Sequence, residues 1–165
     1  MKILLMRHGE AVDQGAGMTD GERWLTAKGR RVSREVAAQV ITHTRPAAVW
    51  TSPLVRATQT AEILVSAAGL EGGVSVVREI ATGDVSAIIE KLRAYEGDAP
   101  LALVGHEPTL STLVMTLLSE RRWHGFEKSS VCALTLKRAE THARFEWMLL
   151  AKKLKLVEDL HKLHD

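Results

Sequence analysis

The sequence lacks the features that would support several common classes of protein. It has a single cysteine, Cys132, which excludes an intrachain disulfide and the cysteine clusters typical of structural zinc. The net charge is only +2 and the basic residues are dispersed, so we expect no nucleic-acid partner. No apolar run is long enough to cross a bilayer, and the amino terminus does not resemble a signal peptide. We therefore expect a cytoplasmic protein without membrane association.

Length and composition are those of an ordinary globular domain. Apolar residues make up 45% of the 165 residues and charged residues 25%. This length predicts one domain over residues 1–165, with enough chain to bury a core. Cys132 lies in an apolar alternating segment, which favours a buried side chain over a reactive thiol.

Short apolar runs alternate with amphipathic segments along the chain. Strands are predicted at residues 2–6, 47–50, 74–77, 101–104, 131–136 and 143–150. Helices are predicted over 26–41, 52–68, 82–95 and 108–118, with a terminal amphipathic helix from about Lys152. This alternation is typical of an α/β fold with a mostly parallel sheet.

Two local features refine this prediction. Ser52 and Pro53 are expected to begin a helix, with the serine as N-cap and the proline at the first helical position. Residues 9–24 are rich in glycine and poor in apolar side chains, so we expect a long loop that borders the site and could act as a lid.

Three polar motifs each follow an apolar strand. Arg7-His8-Gly9 follows the first, the segment containing Arg56 follows the second, and Gly105-His106-Glu107-Pro108 follows the run at 101–104. Ligands of open α/β sheets bind at the carboxyl ends of the strands. If these strands are parallel neighbours, their edge brings together two arginines and two histidines. That combination predicts a phosphate pocket that contains a nucleophile.

Together these motifs resemble the histidine phosphatase superfamily, also called phosphoglycerate mutase-like. Its signature is Arg-His-Gly, a Ser-Pro-x-x-Arg-Ala-x-x-Thr-Ala stretch and a late Gly-His, which stand here at 7–9, 52–61 and 105–106. Within the superfamily the chain looks most like the SixA-type phosphohistidine phosphatases. These share the stretch seen here from Asp20 to Gly29, although they usually have proline where Trp24 stands. The resemblance implies a three-layer α/β/α sandwich with a mostly parallel central sheet.

The resemblance also implies a role for each motif residue. His8 would be the nucleophile, forming a phosphohistidine intermediate that water hydrolyses. Arg7 and Arg56 would bind the non-bridging phosphoryl oxygens, because guanidinium groups stay charged and bind two oxygens at once. His106 would donate a further hydrogen bond to the phosphoryl group. No metal and no other cofactor is expected.

The general acid is left open by the sequence. Larger relatives place a glutamate shortly before a glycine ahead of the middle helix, and Glu79 before Gly83 fits that pattern, although an ordinary surface acid fits equally. Glu10 and Asp84 are weaker candidates. An imidazole, with a reference pKa of about 6.5, leaves with far less protonation than an alkoxide does. A phosphohistidine substrate could therefore be cleaved without a strong acid.

We expect the substrate to be phosphohistidine on a signalling protein of the histidine-containing phosphotransfer type. Little chain separates the helix of Arg56 from the helix expected near Thr82, so a large lid is excluded and an open pocket is expected. Two alternatives remain: a small-molecule phosphomonoesterase of the same fold, and a non-catalytic phosphate-binding regulatory module. His8 argues against the second, because binding alone needs no nucleophile.

Overall fold

The computed structural model describes residues 1–137, 140 and 142–163. The strands are β1 (Lys2–Arg7), β2 (Ala48–Thr51), β3 (Ser75–Val76), β4 (Leu101–Gly105), β5 (Val131–Leu136), β6 (Ala143–Leu150) and β7 (Lys155–Val157). The α-helices are α1 (Ala27–His43), α2 (Val55–Ala68), α3 (Glu79–Thr82), α4 (Val85–Ala94) and α5 (Thr109–Leu118). Short 3-10 turns lie at Asp20–Glu22 and Leu160–Leu163.

All seven strands form one sheet in the order β3-β2-β4-β1-β5-β6-β7. Pairing is parallel from β3 to β1 and antiparallel from β1 to β7. The register sets Arg7 opposite Gly105, and Thr51 opposite Val104. The carboxyl ends of β1, β2 and β4 therefore meet at one edge, as the sequence predicted.

Helices cover both faces of the sheet, which confirms the predicted sandwich with a parallel centre. Successive side chains of a strand point to opposite faces. Leu4 and Met6 of β1 pack in the core shared with α1 and α2. Ile3 and Leu5 pack in the core shared with α4 and α5. All four side chains are fully buried.

The start of α1 is confirmed, and the predicted start of α2 is wrong. The Thr26 side chain caps α1 by accepting from the Gly29 N–H at 2.9 Å. Helix α2 begins at Val55 with Leu54 as its N-cap. Ser52 is not the N-cap, although its hydroxyl accepts from the Leu54 N–H at 3.3 Å. The same hydroxyl lies 2.6 Å from Nε2 of His106, so a long-range partner adds to the local contact.

The helix expected over 82–95 is α4, which begins at Val85, and the short helix α3 lies before it. Gly83 ends α3 with φ +76°, a left-handed conformation that glycine adopts without strain. The Asp84 side chain then accepts from the Ala87 N–H and caps α4. The chain therefore turns at Gly83 between α3 and α4, and this turn lies beside the predicted site.

The predicted terminal helix is wrong. Residues 151–154 form a turn, and β7 returns antiparallel to β6 with Leu156 opposite Leu149. Among the described residues of this segment, only Leu160–Leu163 is helical, as a 3-10 turn whose Leu163 enters the core. The end of the predicted helix, residues 164–165, lies outside the described residues. Elsewhere in the described chain, no helix is both long and apolar enough to cross a membrane.

Candidate active site

His8 lies directly after β1, buried with 7% of its surface exposed. Its Nδ1 is 2.7 Å from the Gly9 carbonyl oxygen. Because a carbonyl only accepts, Nδ1 carries the proton and Nε2 keeps its lone pair. Burial, and then the nearby positive groups, lower the pKa of His8 to about 3. The ring is therefore neutral at pH 7, and Nε2 is its unprotonated nitrogen.

The α2 motif holds the peptide that orients this ring. The Gly9 N–H donates to Oγ1 of Thr60 at 3.0 Å, and that hydroxyl donates to the Arg56 carbonyl at 2.7 Å. A Cβ at position 9 would lie 2.6 Å from the Ser33 hydroxyl, so the close approach requires glycine. The Thr-Ala end of the motif thus has a positioning function that its sequence alone does not reveal.

Arg56 contacts both His8 and an acidic loop residue. Its Nε donates to Nε2 of His8 at 3.3 Å. Its two terminal nitrogens donate to Asp20, one to the carbonyl at 2.7 Å and one to the carboxylate at 2.9 Å. Arg23 also pairs with Asp20, and the two arginines hold the pKa of that carboxyl below its usual range. Asp20 therefore occupies the Arg56 nitrogens that a phosphoryl group would bind.

Arg7 is held from a different side. A terminal nitrogen donates to the Phe126 carbonyl, and the Phe126 N–H donates to the Glu107 carboxylate at 2.8 Å. Nε of Arg7 is buried and has no partner among the described residues. The charge of Arg7 contributes to lowering the pKa of both His8 and His106. This guanidinium is thus close to both imidazoles, and the Glu107 turn sets its position.

His106 lies beside His8, with ring centroids 5.2 Å apart. Its Nε2 and the Ser52 hydroxyl are 2.6 Å apart, and either atom can donate. Its Nδ1 is buried without a partner in the described chain. Burial, followed by the charge of Arg56, lowers the pKa of His106 to about 4. His106 is therefore also neutral at pH 7.

The structure thus brings together His8, Arg7, Arg56 and His106, which the sequence predicted to meet. Arg56 and His106 line one cavity and Arg7 lines another, whereas His8 is not among the residues that line either. A cavity of about 380 Å³ is lined by Arg56, His106, Asp20 and the turn at residues 81–83. A cavity of about 780 Å³ is lined by Arg7 together with Glu10 and several basic side chains.

The three candidate acids all have partners. Glu79 begins α3 and pairs with Lys91 at 3.4 Å, and it is not among the residues that line the cavity of Arg56 and His106. Glu10 accepts from the Thr26 hydroxyl at 2.9 Å, and this bond and Lys28 keep its pKa low. Asp84 caps α4. A proton donor to a leaving group remains unassigned.

The roles of Asp20, Ser52 and Glu107 do not follow from the sequence. Asp20 belongs there only to a stretch shared with the SixA-type proteins. The local pattern predicts a helix cap at Ser52 and a turn at Glu107. Their partners lie 36, 54 and 19 residues away, so only the fold reveals them.

Within the described residues, no group of three or more histidine, cysteine, aspartate or glutamate side chains is placed to hold a metal ion. Cys132 is buried, as predicted, and burial raises the pKa of its thiol.

A family model described as "Histidine phosphatase superfamily (branch 1)" matches residues 3–85. An uncharacterized protein of Picosynechococcus sp. (strain ATCC 27264 / PCC 7002 / PR-6) is 34% identical over 160 residues, covering 91% of this chain and 95% of that protein.

Two solved structures show how widely the fold is shared. The protein histidine phosphatase SixA, complexed with tungstate, has a TM-score of 0.86 and 30% identity, covering 94% of this chain and 100% of that one. The phosphoserine phosphatase of Entamoeba histolytica, in complex with 3-phosphoglyceric acid, has a TM-score of 0.68 and 16% identity, covering 89% and 95%. The second likeness concerns the fold alone.

Proposed function

This chain belongs to branch 1 of the histidine phosphatase superfamily, with the architecture of a histidine-based phosphatase, and we propose that it removes phosphate from phosphohistidine on a signalling protein. The observation that carries the proposal is the state of His8. Its Nδ1 proton is bound to the Gly9 carbonyl, and its Nε2 lone pair faces Arg56. The ring is neutral and oriented, as a nucleophile must be.

The reaction follows from these groups in two displacements. Nε2 of His8 attacks phosphorus, and the bond from phosphorus to the substrate imidazole breaks with its electron pair passing to that imidazole nitrogen. The substrate ring carries a proton on its other nitrogen, so it leaves as neutral imidazole. Water then attacks the phosphorus of phospho-His8 and loses a proton to solvent, while the P–N bond breaks with its electron pair returning to Nε2, which releases inorganic phosphate. The bond formed and the bond broken in the first transfer are both P–N bonds to imidazole, so that transfer is nearly balanced in energy.

The cations would stabilise the transferring group. Phosphoryl transfer depends mainly on positioning and on neutralising the equatorial oxygens. Arg56 can supply its terminal nitrogens once Asp20 gives way, and Arg7 and His106 each have a buried nitrogen without a partner among the described residues. Buried polar atoms normally have hydrogen-bond partners. A bound phosphoryl group would supply the partners that these two nitrogens lack among the described residues.

The lack of an assigned acid supports phosphohistidine as the substrate. Glu79 pairs with Lys91, Glu10 with Lys28, and Asp84 caps a helix. An alkoxide leaving group would need one of them to move, whereas imidazole leaves largely unaided. Residues 69–78 between α2 and α3 hold one two-residue strand and no helix that could cover the pocket.

A substrate ranking combined with trapping tests the proposal. We expect a higher kcat/KM on a phosphorylated histidine-containing phosphotransfer domain than on sugar phosphates. Rapid quenching with labelled substrate should trap label on His8, mapped by mass spectrometry. Glu79→Gln should leave phosphohistidine cleavage nearly unchanged. A preference for sugar phosphates that depends on Glu79 would instead identify a small-molecule phosphomonoesterase.

A further inference from the structure

The larger cavity, of about 780 Å³, carries a concentration of positive charge that the proposed chemistry leaves unexplained. Six of the residues that line it are basic and three are acidic, a net charge of +3, whereas the whole chain carries only +2. The basic residues are Arg7, Lys28, Arg31, Lys128, Lys152 and Lys153. We call the outer five of these, all except Arg7, the basic rim.

Half of this positive charge is already compensated. Lys28 pairs with Glu10 at 3.2 Å, Arg31 with Glu35 at 3.9 Å, and Lys152 with Glu127 at 3.6 Å. Within the part of the chain that the structure describes, neither Lys128 nor Lys153 forms a salt bridge or a side-chain hydrogen bond, and both side chains are exposed. These two lysines are therefore available to an external anionic group.

The cavity is joined to the catalytic residues through the backbone around the nucleophile. Arg7 and Glu10 flank His8 in sequence and both line the cavity. Ser129, another lining residue, donates its N–H to the carbonyls of Arg7 and His8 at 3.1 and 3.2 Å. A molecule bound at the basic rim would consequently lie next to the phosphoryl site.

An exposed apolar residue lies among the rim lysines. Leu154 is 41% exposed in the turn between β6 and β7, and it lines the cavity. Its φ of +46° is a left-handed conformation that is unfavourable for a residue with a Cβ. Protein interfaces combine apolar contacts with a charged rim, whereas a small anion needs donors that converge on one point. Lys28 stands on α1, Lys128 before β5 and Lys153 after β6, so the rim charges are spread over separate elements.

We propose that the basic rim with Leu154 docks the acidic face of the phosphohistidine-bearing protein, placing its phosphoimidazole at His8. This inference rests on the proposed function and names the surface that selects the partner. Complementary charge increases association rates by roughly 10 to 1,000-fold and makes them sensitive to salt. Selectivity for a protein over a small molecule would then come from outside the phosphate pocket.

Two substrates with the same scissile bond test the proposal. One is an acidic phosphotransfer domain phosphorylated on histidine, and the other is free phosphohistidine. In Lys128→Glu/Lys153→Glu we expect KM for the domain to rise about tenfold or more, with a much weaker dependence on ionic strength. Values of kcat and KM for free phosphohistidine should stay within about twofold of wild type, because neither lysine belongs to the phosphate site.

A matched control reverses two charges on the opposite face of the sheet. Arg93 lies on α4, and Lys162 lies in the 3-10 turn whose Leu163 packs in the same core as α4. Arg93→Glu/Lys162→Glu changes the net charge equally and should leave KM for the domain close to that of wild type. An equal rise in this control would overturn the proposal, since net charge alone would then explain the effect. An equal loss on free phosphohistidine would also overturn it.

Binding of the unphosphorylated domain separates this inference from the proposed function. Calorimetric titration needs no turnover, and we expect affinity to fall about tenfold in the Lys128→Glu/Lys153→Glu variant. If wild type binds the domain through these lysines but does not cleave phosphohistidine, the docking surface is confirmed and the proposed function is wrong. If wild type cleaves phosphohistidine but the lysine substitutions change neither the affinity nor KM for the domain, only the docking proposal is overturned.

Discussion

The two imidazoles of the site lie 5.2 Å apart but have opposite surroundings. His8 binds the backbone through Nδ1 and faces a guanidinium with Nε2, whereas His106 meets a hydroxyl with Nε2 and leaves Nδ1 without a partner in the described chain. Only the hydrogen bonds of His8 determine which ring nitrogen carries the proton and which carries the lone pair. Burial thus makes both rings neutral, and the hydrogen bonds of His8 orient it as the proposed nucleophile requires.

The strongest test of this difference removes each ring in turn. His8→Ala should lower kcat/KM by roughly 10⁴-fold or more, because the covalent intermediate can no longer form. His106→Ala should cost less, since it removes a donor and not the nucleophile. An aryl phosphate assay under single-turnover conditions measures both. Equal losses, or a larger loss for His106→Ala, would contradict the assignment of His8 as the nucleophile.

Arg56→Lys tests what His8 gains from its guanidinium neighbour. Arg56 donates to His8 and twice to Asp20, and a lysine cannot reproduce this planar arrangement. We expect a loss of about 10²-fold in kcat/KM, typical of removing one donor to a developing oxyanion. Arg45→Lys, at a site where the arginine donates to the Ala68 carbonyl far from the nucleophile, is the control. Full activity of Arg56→Lys would show that charge alone suffices.

The shared burial predicts a shared dependence of stability on pH. Both folded-state pKa values are depressed, to about 3 and about 4, so the unfolded chain binds more protons than the folded chain below pH 6.5. The free energy of unfolding should therefore fall as pH decreases from 6.5 to 4.5, by on the order of 2 kcal/mol for each imidazole. Urea titrations of wild type and of His8→Asn/His106→Asn check this, and the variant should show the shallower decrease.

The predictable part of the molecule is the part where local pattern and long-range packing agree. Strands β1, β2 and β4 are apolar runs followed at once by polar motifs, so both their position and their shared edge follow from the sequence. The prediction for the last segment is wrong because a three-residue strand is too short to show the alternation typical of strands. The leucines at 156, 160 and 163 also have the spacing expected of a helix.

Within the site, the sequence predicts the types of residue but not the hydrogen bonds between them. The motifs identify His8, Arg56 and His106, but the protonation pattern depends on partners distant in sequence. The local sequence predicts that Ser52 caps a helix. Its hydroxyl also contacts Nε2 of His106, because β2 and β4 are adjacent strands. Such a contact is a property of the sheet order, which no local pattern encodes.

Ser52→Ala tests what His106 gains from its hydroxyl partner. Losing one hydrogen bond to a buried group costs about 1–2 kcal/mol, which corresponds to roughly a tenfold loss in kcat. Because Ser52 acts through His106, the acidic limb of the kcat profile should also shift. Ser66→Ala, on the exposed side of α2, is the matched control. An unchanged pH profile with lower thermal stability would reduce Ser52 to a structural role.

Asp20→Asn gives the smallest expected effect and acts on the two rings unequally. The Asp20 carboxylate occupies Arg56 and partly offsets the lowering of the His106 pKa. Removing its charge should leave Arg56 more available and tighten inhibition by inorganic phosphate about two- to fivefold, as expected for a half-exposed ion pair. The His106 pKa should fall further while that of His8 changes little, which NMR titration of the imidazole carbons can follow. Weaker phosphate inhibition would instead mean that Asp20 holds Arg56 in place for the phosphoryl group.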